Sequence, residues 1–112
     1  MTAQQFRKLA LSLENVEENP HFDRAAFKVT GSRIFATLHE PSRTANVKLS
    51  PVDQSVFSDL SKGAVYPVPN KWGIQGWTTI ELKTAPGELV ADAVETAYRD
   101  ALVTKKKKRT KP

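Results

Sequence analysis

The chain contains no cysteine, which excludes disulfides, thiolate metal sites and a cysteine nucleophile, and suits a reducing compartment. It contains no apolar run approaching the roughly 18 residues of a membrane span, and its first residues lack the apolar core of a signal peptide. A soluble, cytoplasmic protein with no membrane partner is therefore expected. Histidine is scarce: His21 and His39 stand in separate segments, without an HExxH-type ligand spacing. There is no GxSxG elbow and no phosphate-binding P-loop. Acid–base or metal chemistry is thus left to His21, Asp23, His39 and Glu40, a set that reads more simply as surface or packing residues. The sequence predicts no catalytic residue, no metal site, no cofactor and no enzymatic activity.

What is present is a single-domain length of 112 residues and an apolar fraction of 39%, enough for one core when the apolar positions are well patterned. The net charge is +5, but its distribution is lopsided. Lys105, Lys106, Lys107, Lys108, Arg109 and Lys111 are six of the 17 basic residues and have no acid among them. The other 11 face 12 acids over residues 1–104, a balance of −1. The basic character belongs to the C-terminal segment, and whole-chain charge is no argument that the folded part binds polyanions. The expected organisation is one domain over 1–104 and a disordered basic tail over 105–112.

Local patterns supply the elements. Thr2-Ala3-Gln4-Gln5 reads as a capping box, and Phe6, Leu9, Ala10 and Leu13 follow at helical spacing, predicting a helix over about 3–14. Asn15 to Pro20 is polar, ends in proline and reads as a linker. Three short strands follow at 25–29, 33–39 and 45–49, with turns at Thr30-Gly31-Ser32 and Glu40 to Thr44. In the second strand Ile34, Ala36 and Leu38 share one side, and Phe35, Thr37 and His39 the other. Ser50-Pro51-Val52-Asp53 opens a helix whose apolar face is Val52, Val56, Phe57 and Leu60, stopped at Lys62-Gly63. Ala64 to Val68 reads as an edge strand because of Pro67, Trp77 to Leu82 as a half-buried strand, and Pro86 to Leu102 as the last amphipathic helix. Short connections make consecutive strands antiparallel. The predicted fold is α+β, an antiparallel sheet packed by the N- and C-terminal helices on one face.

The stretch Pro69 to Trp77 holds both tryptophans and two of the five glycines. Gly73 and Gly76 argue against both helix and strand, so an ordered loop is expected, with its glycines at positive φ and its tryptophans as anchors. Of the two, Trp77 is expected to be the more buried.

The order and spacing of these elements resemble the MmcQ/YjbR-like family. The resemblance covers nearly all of residues 2–103 and is carried by Pro20-His21, by Phe27-Lys28-Val29 with Gly31 and Ile34-Phe35-Ala36, by Val47-Lys48-Leu49, and by Asn70-Lys71-Trp72-Gly73 leading to Trp77 and Tyr98. The family often has a lysine after the glycine; here Ser32-Arg33 keeps a cation in that hairpin. The resemblance implies a frataxin-like (CyaY-like) two-layer sandwich and a double-wing DNA-binding role. A frataxin-like fold also raises iron binding, for which Glu14, Glu17 and Glu18 are a thin oxygen surface.

Arg33 and Arg43 in the hairpin turns, Lys48 on its strand, and Lys71 beside Trp72 are the candidate nucleic-acid contacts of the domain, since cations beside an exposed aromatic suit phosphate contact with base stacking. The six cations of the tail add non-specific affinity. Two functional readings remain open: a DNA-binding domain, or a small protein-interaction or ligand-binding domain using the tryptophan loop 69–77. A continuous positive face joining Arg33, Arg43, Lys48 and Lys71 would favour the first.

Overall fold

The structure is a computed structural model that describes residues 1–103 in full and, for 104–110, only the backbone helix. Its first helix, α1 (Ala3–Leu11), starts on the expected capping box: Gln5 N–H donates to the Thr2 hydroxyl at 3.1 Å, and Thr2 N–H donates to Gln5 Oε1 at 2.8 Å. It stops earlier than its apolar spacing suggests. The Ser12 hydroxyl donates to the Leu9 carbonyl at 2.6 Å, and Asn15 then takes a left-handed φ of 63°.

The segment expected to be a linker is instead strand β1 (Val16–His21), paired antiparallel to β2 (Arg24–Val29) from Val16 with Val29 to His21 with Arg24. Its sequence lacks a strand pattern because β1 is a sheet edge. An edge strand tolerates proline and polar residues that a central strand would not, and both help to stop unwanted pairing. The β1–β2 turn is only Phe22-Asp23, and Phe22 adopts φ 59° while its ring is 94% exposed. That conformation costs a side chain with a Cβ about 1–2 kcal/mol.

Strands β3 (Ile34–His39) and β4 (Thr44–Lys48) continue the meander, and α2 (Pro51–Leu60) is capped by Ser50 accepting from Asp53 N–H at 3.1 Å. Then come β5 (Val65–Pro67), a one-turn helix α3 (Lys71–Ile74), β6 (Trp77–Glu81) and α4 (Gly87–Thr110). The expectation of a disordered tail over 105–112 lies outside the fully described residues. The six strands form one antiparallel sheet in the order β1-β2-β3-β4-β6-β5. The fold is α+β as expected, with one more strand and one more helix than the sequence patterns suggest.

Helices α1 and α4 cover one sheet face. Phe6 of α1 meets Phe27 edge-on at 6.0 Å, and Val90, Ala93, Val94, Ala97 and Ala101 of α4 join the core of β3 and β4 with Ala36, Leu38 and Val47. The pairing register shifts between Phe27 and Lys28, opposite Phe35. Alternation puts Phe35 with Thr37 and His39, but at this irregularity the ring is fully buried and packs edge-on against Tyr98 of α4 at 5.8 Å.

Helix α2 departs from its pattern more sharply. None of its residues is buried, and Val52, Val56 and Leu60 of the presumed inner stripe are 72%, 48% and 64% exposed. Only Phe57 packs partly against the core. The helix is held instead by a polar side chain: Gln54 Nε2 donates to the Gly73 carbonyl (2.9 Å), the Thr78 hydroxyl (3.0 Å) and, more weakly, the Trp77 carbonyl (3.3 Å).

Candidate functional site

The tryptophan loop is more regular than its glycines predict. Asn70, at φ 83°, accepts from Trp72 N–H at 2.9 Å and so starts the single turn of α3. Gly73 lies inside that turn because its backbone touches another: a Cβ there would stand 1.9 Å from the Val68 carbonyl oxygen. Gly76 combines φ 109° with the same closeness to the Leu49 carbonyl oxygen, 1.9 Å from an added Cβ. Leu49 N–H returns a 2.9 Å hydrogen bond to the Gly76 carbonyl. The loop is thus clamped to the end of β4 by main chain. Trp72 is 52% exposed while Trp77 is half-buried on β6, in the expected order.

The candidate cations do not form one face. Because β3 and β4 are antiparallel, Arg33 before β3 and Lys48 at the end of β4 meet at one end of the sheet. Both line a depression of about 280 Å³ together with Asp100 and Val103 of α4. Burial, and secondarily the Arg33 charge, pushes the Lys48 ammonium below its usual pKa, with Asp100 partly opposing. Lys71, exposed, also lies towards this end, where β6 begins. Arg43 does not: it occupies the β3–β4 turn at the other end, at φ 53°.

Between the ends, the sheet face away from α1 and α4 carries a groove of about 430 Å³. Its floor is the cross-strand neighbours Thr37 and Asn46. Trp72 and Trp77 of the tryptophan loop, with Val68 just before it, line one side, and the tip of the β1–β2 hairpin, His21, Phe22, Asp23 and Arg24, lines the other. The Thr79 hydroxyl donates to Asn46 Oδ1 at 2.8 Å, and Arg24 Nη1 makes a long 3.5 Å bond to Thr37 Oγ1. The aromatic loop was visible in the sequence. The opposite wall was not, because a linker reading of 15–20 hides the hairpin that presents Phe22 and Arg24. Strict alternation from Arg24 would have found the arginine.

Beside the groove, His39 Nε2 lies 3.2 Å from Asp23 Oδ2, and His39 Nδ1 lies 2.6 Å from Ser42 Oγ, which contacts Thr44 Oγ1 at 2.8 Å. An acid, an imidazole and a hydroxyl in line have the composition of a nucleophilic relay. Here the Ser42 hydroxyl is already shared between His39 and Thr44, and the chain of contacts ties the β3–β4 turn to the β1–β2 turn.

The YjbR family profile matches residues 11–100. The chain belongs to the YjbR family. Two solved structures share its fold. A Deinococcus radiodurans protein with a DUF419 domain superposes with a TM-score of 0.77 at 24% identity, over 94% of this chain and 80% of that one. A Pseudomonas syringae protein superposes with a TM-score of 0.71 at 14% identity, over 90% of this chain and 99% of that one. No curated protein matches the chain. In this YjbR-family chain, none of the helices is long and apolar enough to cross a membrane among the described residues.

Proposed function

We propose that this chain is a non-enzymatic DNA-binding protein that grips the phosphate backbone from one pole. The observation that carries the reading is the convergence of Arg33 and Lys48 beside Val103, the point from which the chain runs on into Lys105 to Lys111. Arg33 and Lys48 share one depression, where burial first and the Arg33 charge second depress the Lys48 pKa against a partial opposition from Asp100, and a phosphate placed beside the two cations would offset that cost. Such contacts position a protein on a duplex without reading sequence. Arg43 stands apart and acts as a separate, weaker contact.

The test is duplex binding by a chain ending at Val103, with Arg33→Ala and Lys48→Ala singly and together. Each single change weakens binding, and the pair removes nearly all of it at moderate salt. A double variant that binds duplex as its parent does contradicts a site at this pole. The groove between Trp72, Trp77 and Phe22 favours a second reading, ligand binding through the tryptophan loop.

A further inference from the structure

The groove on the open sheet face has the chemistry of a small-ligand site and uses none of the residues of the basic pole. Its volume of about 430 Å³ falls within the roughly 300–1,000 Å³ usual for such sites. Its aromatic groups come from opposite sides, Trp72 and Trp77 from one loop, His21 and Phe22 from the facing turn. Phe22 is held at a strained φ of 59° with 94% of its surface exposed, a conformation that core packing does not explain. Aromatic walls of this kind take a flat ring by stacking.

The floor asks for a ring with polar edges. Thr79 occupies Asn46 Oδ1 at 2.8 Å, which orients the amide so that its NH2 donors remain for an acceptor. Thr37 adds a hydroxyl next to it across the ladder. An anionic substituent suits the remaining wall. Arg24 lines the groove, and its contact to Thr37 is long at 3.5 Å, so its fork of donors is largely unspent among the described residues. The one acid on the lining, Asp23, has one carboxylate oxygen 3.2 Å from His39 Nε2.

We propose that this groove binds an unpaired nucleotide, with its base stacked on Trp72, the base edge on Asn46 and Thr37, and its phosphate on Arg24. This goes beyond backbone binding at the basic pole. The nucleotide can come from a free mononucleotide or from a single strand, and the two share this chemistry.

Both tryptophans of the chain line the groove, so intrinsic fluorescence of the full-length protein reports on it directly. The titrants are adenosine and uridine monophosphates, a single-stranded tetranucleotide, and ribose 5-phosphate as a control without a base. The expected result is saturable quenching by nucleotides and none by ribose 5-phosphate. Trp72→Ala and Arg24→Gln each weaken binding by about tenfold or more, with an unchanged urea midpoint, since loss of one stacking or charged contact is of that order. A strand bound more than about tenfold tighter than the monophosphates, with the gain lost in Trp72→Ala, identifies a single strand as the source. Equal affinities identify the free nucleotide. Duplex binding that survives Trp72→Ala keeps this site separate from the basic pole. The proposal is overturned if neither monophosphates nor strand give saturable quenching, if ribose 5-phosphate binds equally well, or if Trp72→Ala binds with parental affinity.

Discussion

Lys48 is half-buried next to Arg33, and its pKa is lowered first by desolvation and then by that neighbouring charge. The folded state therefore sheds this proton before the unfolded state does as pH rises. Below the folded pKa the charged form is present in both states and the cost of burying it is fully felt. That cost is relieved as pH rises from the folded value towards the ordinary lysine value of 10.5. Lys48→Met should accordingly be as stable as the parent or more so at neutral pH, and should lack the parent's relative gain in alkali. Urea unfolding of both proteins at neutral and alkaline pH measures this. A residue that stabilises the fold would show the reverse at neutral pH. The glycines of the tryptophan loop lie at the other extreme. Gly76→Ala forces a Cβ against the Leu49 carbonyl from a left-handed backbone, and Gly73→Ala against the Val68 carbonyl. Each is expected to cost about 3 kcal/mol or more in urea unfolding, the upper range for overpacking against main chain. Gly63→Ala meets no atom within 4 Å and has only its φ of 92° to contend with, so its cost should be nearer about 1 kcal/mol. The role of Gly73 is invisible in the sequence, since its neighbour Val68 is brought there by the closing of the loop. Trp77, half-buried, should cost less on truncation than the roughly 3–5 kcal/mol of a fully buried aromatic.

At the scale of elements, Gln54 replaces the apolar seam that α2 would be expected to use. Removing it in Gln54→Ala leaves the Thr78 hydroxyl, itself fully buried, with only its 3.0 Å bond to the Gly76 carbonyl, and leaves the Gly73 carbonyl to the main chain, where Gly76 N–H donates to it at 3.0 Å. A loss of about 1–3 kcal/mol is expected, with a red-shifted tryptophan emission as the loop loosens. Unchanged stability and emission would mean that Phe57 alone seats the helix. Elements whose signals are local were legible: the capping box of α1, the Ser50-Pro51 start of α2, and the hairpin at Gly31 all stand as read. Elements defined by a distant partner were not. β1 is a strand only because Val16 to His21 finds β2, and its polar residues give no periodic pattern. The period of α2 was read correctly, but periodicity cannot say which stripe faces inward when a glutamine satisfies buried carbonyls. The groove suffered from the same gap, since its loop wall was visible and its hairpin wall depended on β1.

At the scale of the molecule, charge is unevenly placed. Several acids of the body are engaged: Glu18 and Glu40 with Arg7, Glu17 with Lys28, and Glu81 with the Tyr66 hydroxyl. That last contact raises the tyrosine pKa. Arg33 and Lys48 share a depression with Asp100 at the pole from which the basic segment continues. Residues in contact couple and separated residues add. In duplex binding by a chain ending at Val103, Arg33→Ala and Lys48→Ala should therefore be non-additive, while Arg33→Ala and Arg43→Ala should add. Additivity of the first pair would show that the two cations meet different phosphates.

The central claim is that backbone affinity is concentrated at this pole and its basic extension, and salt dependence reads it most directly. Duplex binding by the full chain and by a chain ending at Val103 is measured across salt concentrations. Neutralising the phosphates opposite six tail cations gives a log–log slope steeper by about 5 in the full chain. The account predicts that truncation flattens the slope by that amount and leaves the unfolding midpoint unchanged. A shortened chain that binds as tightly, with the same slope, would contradict it.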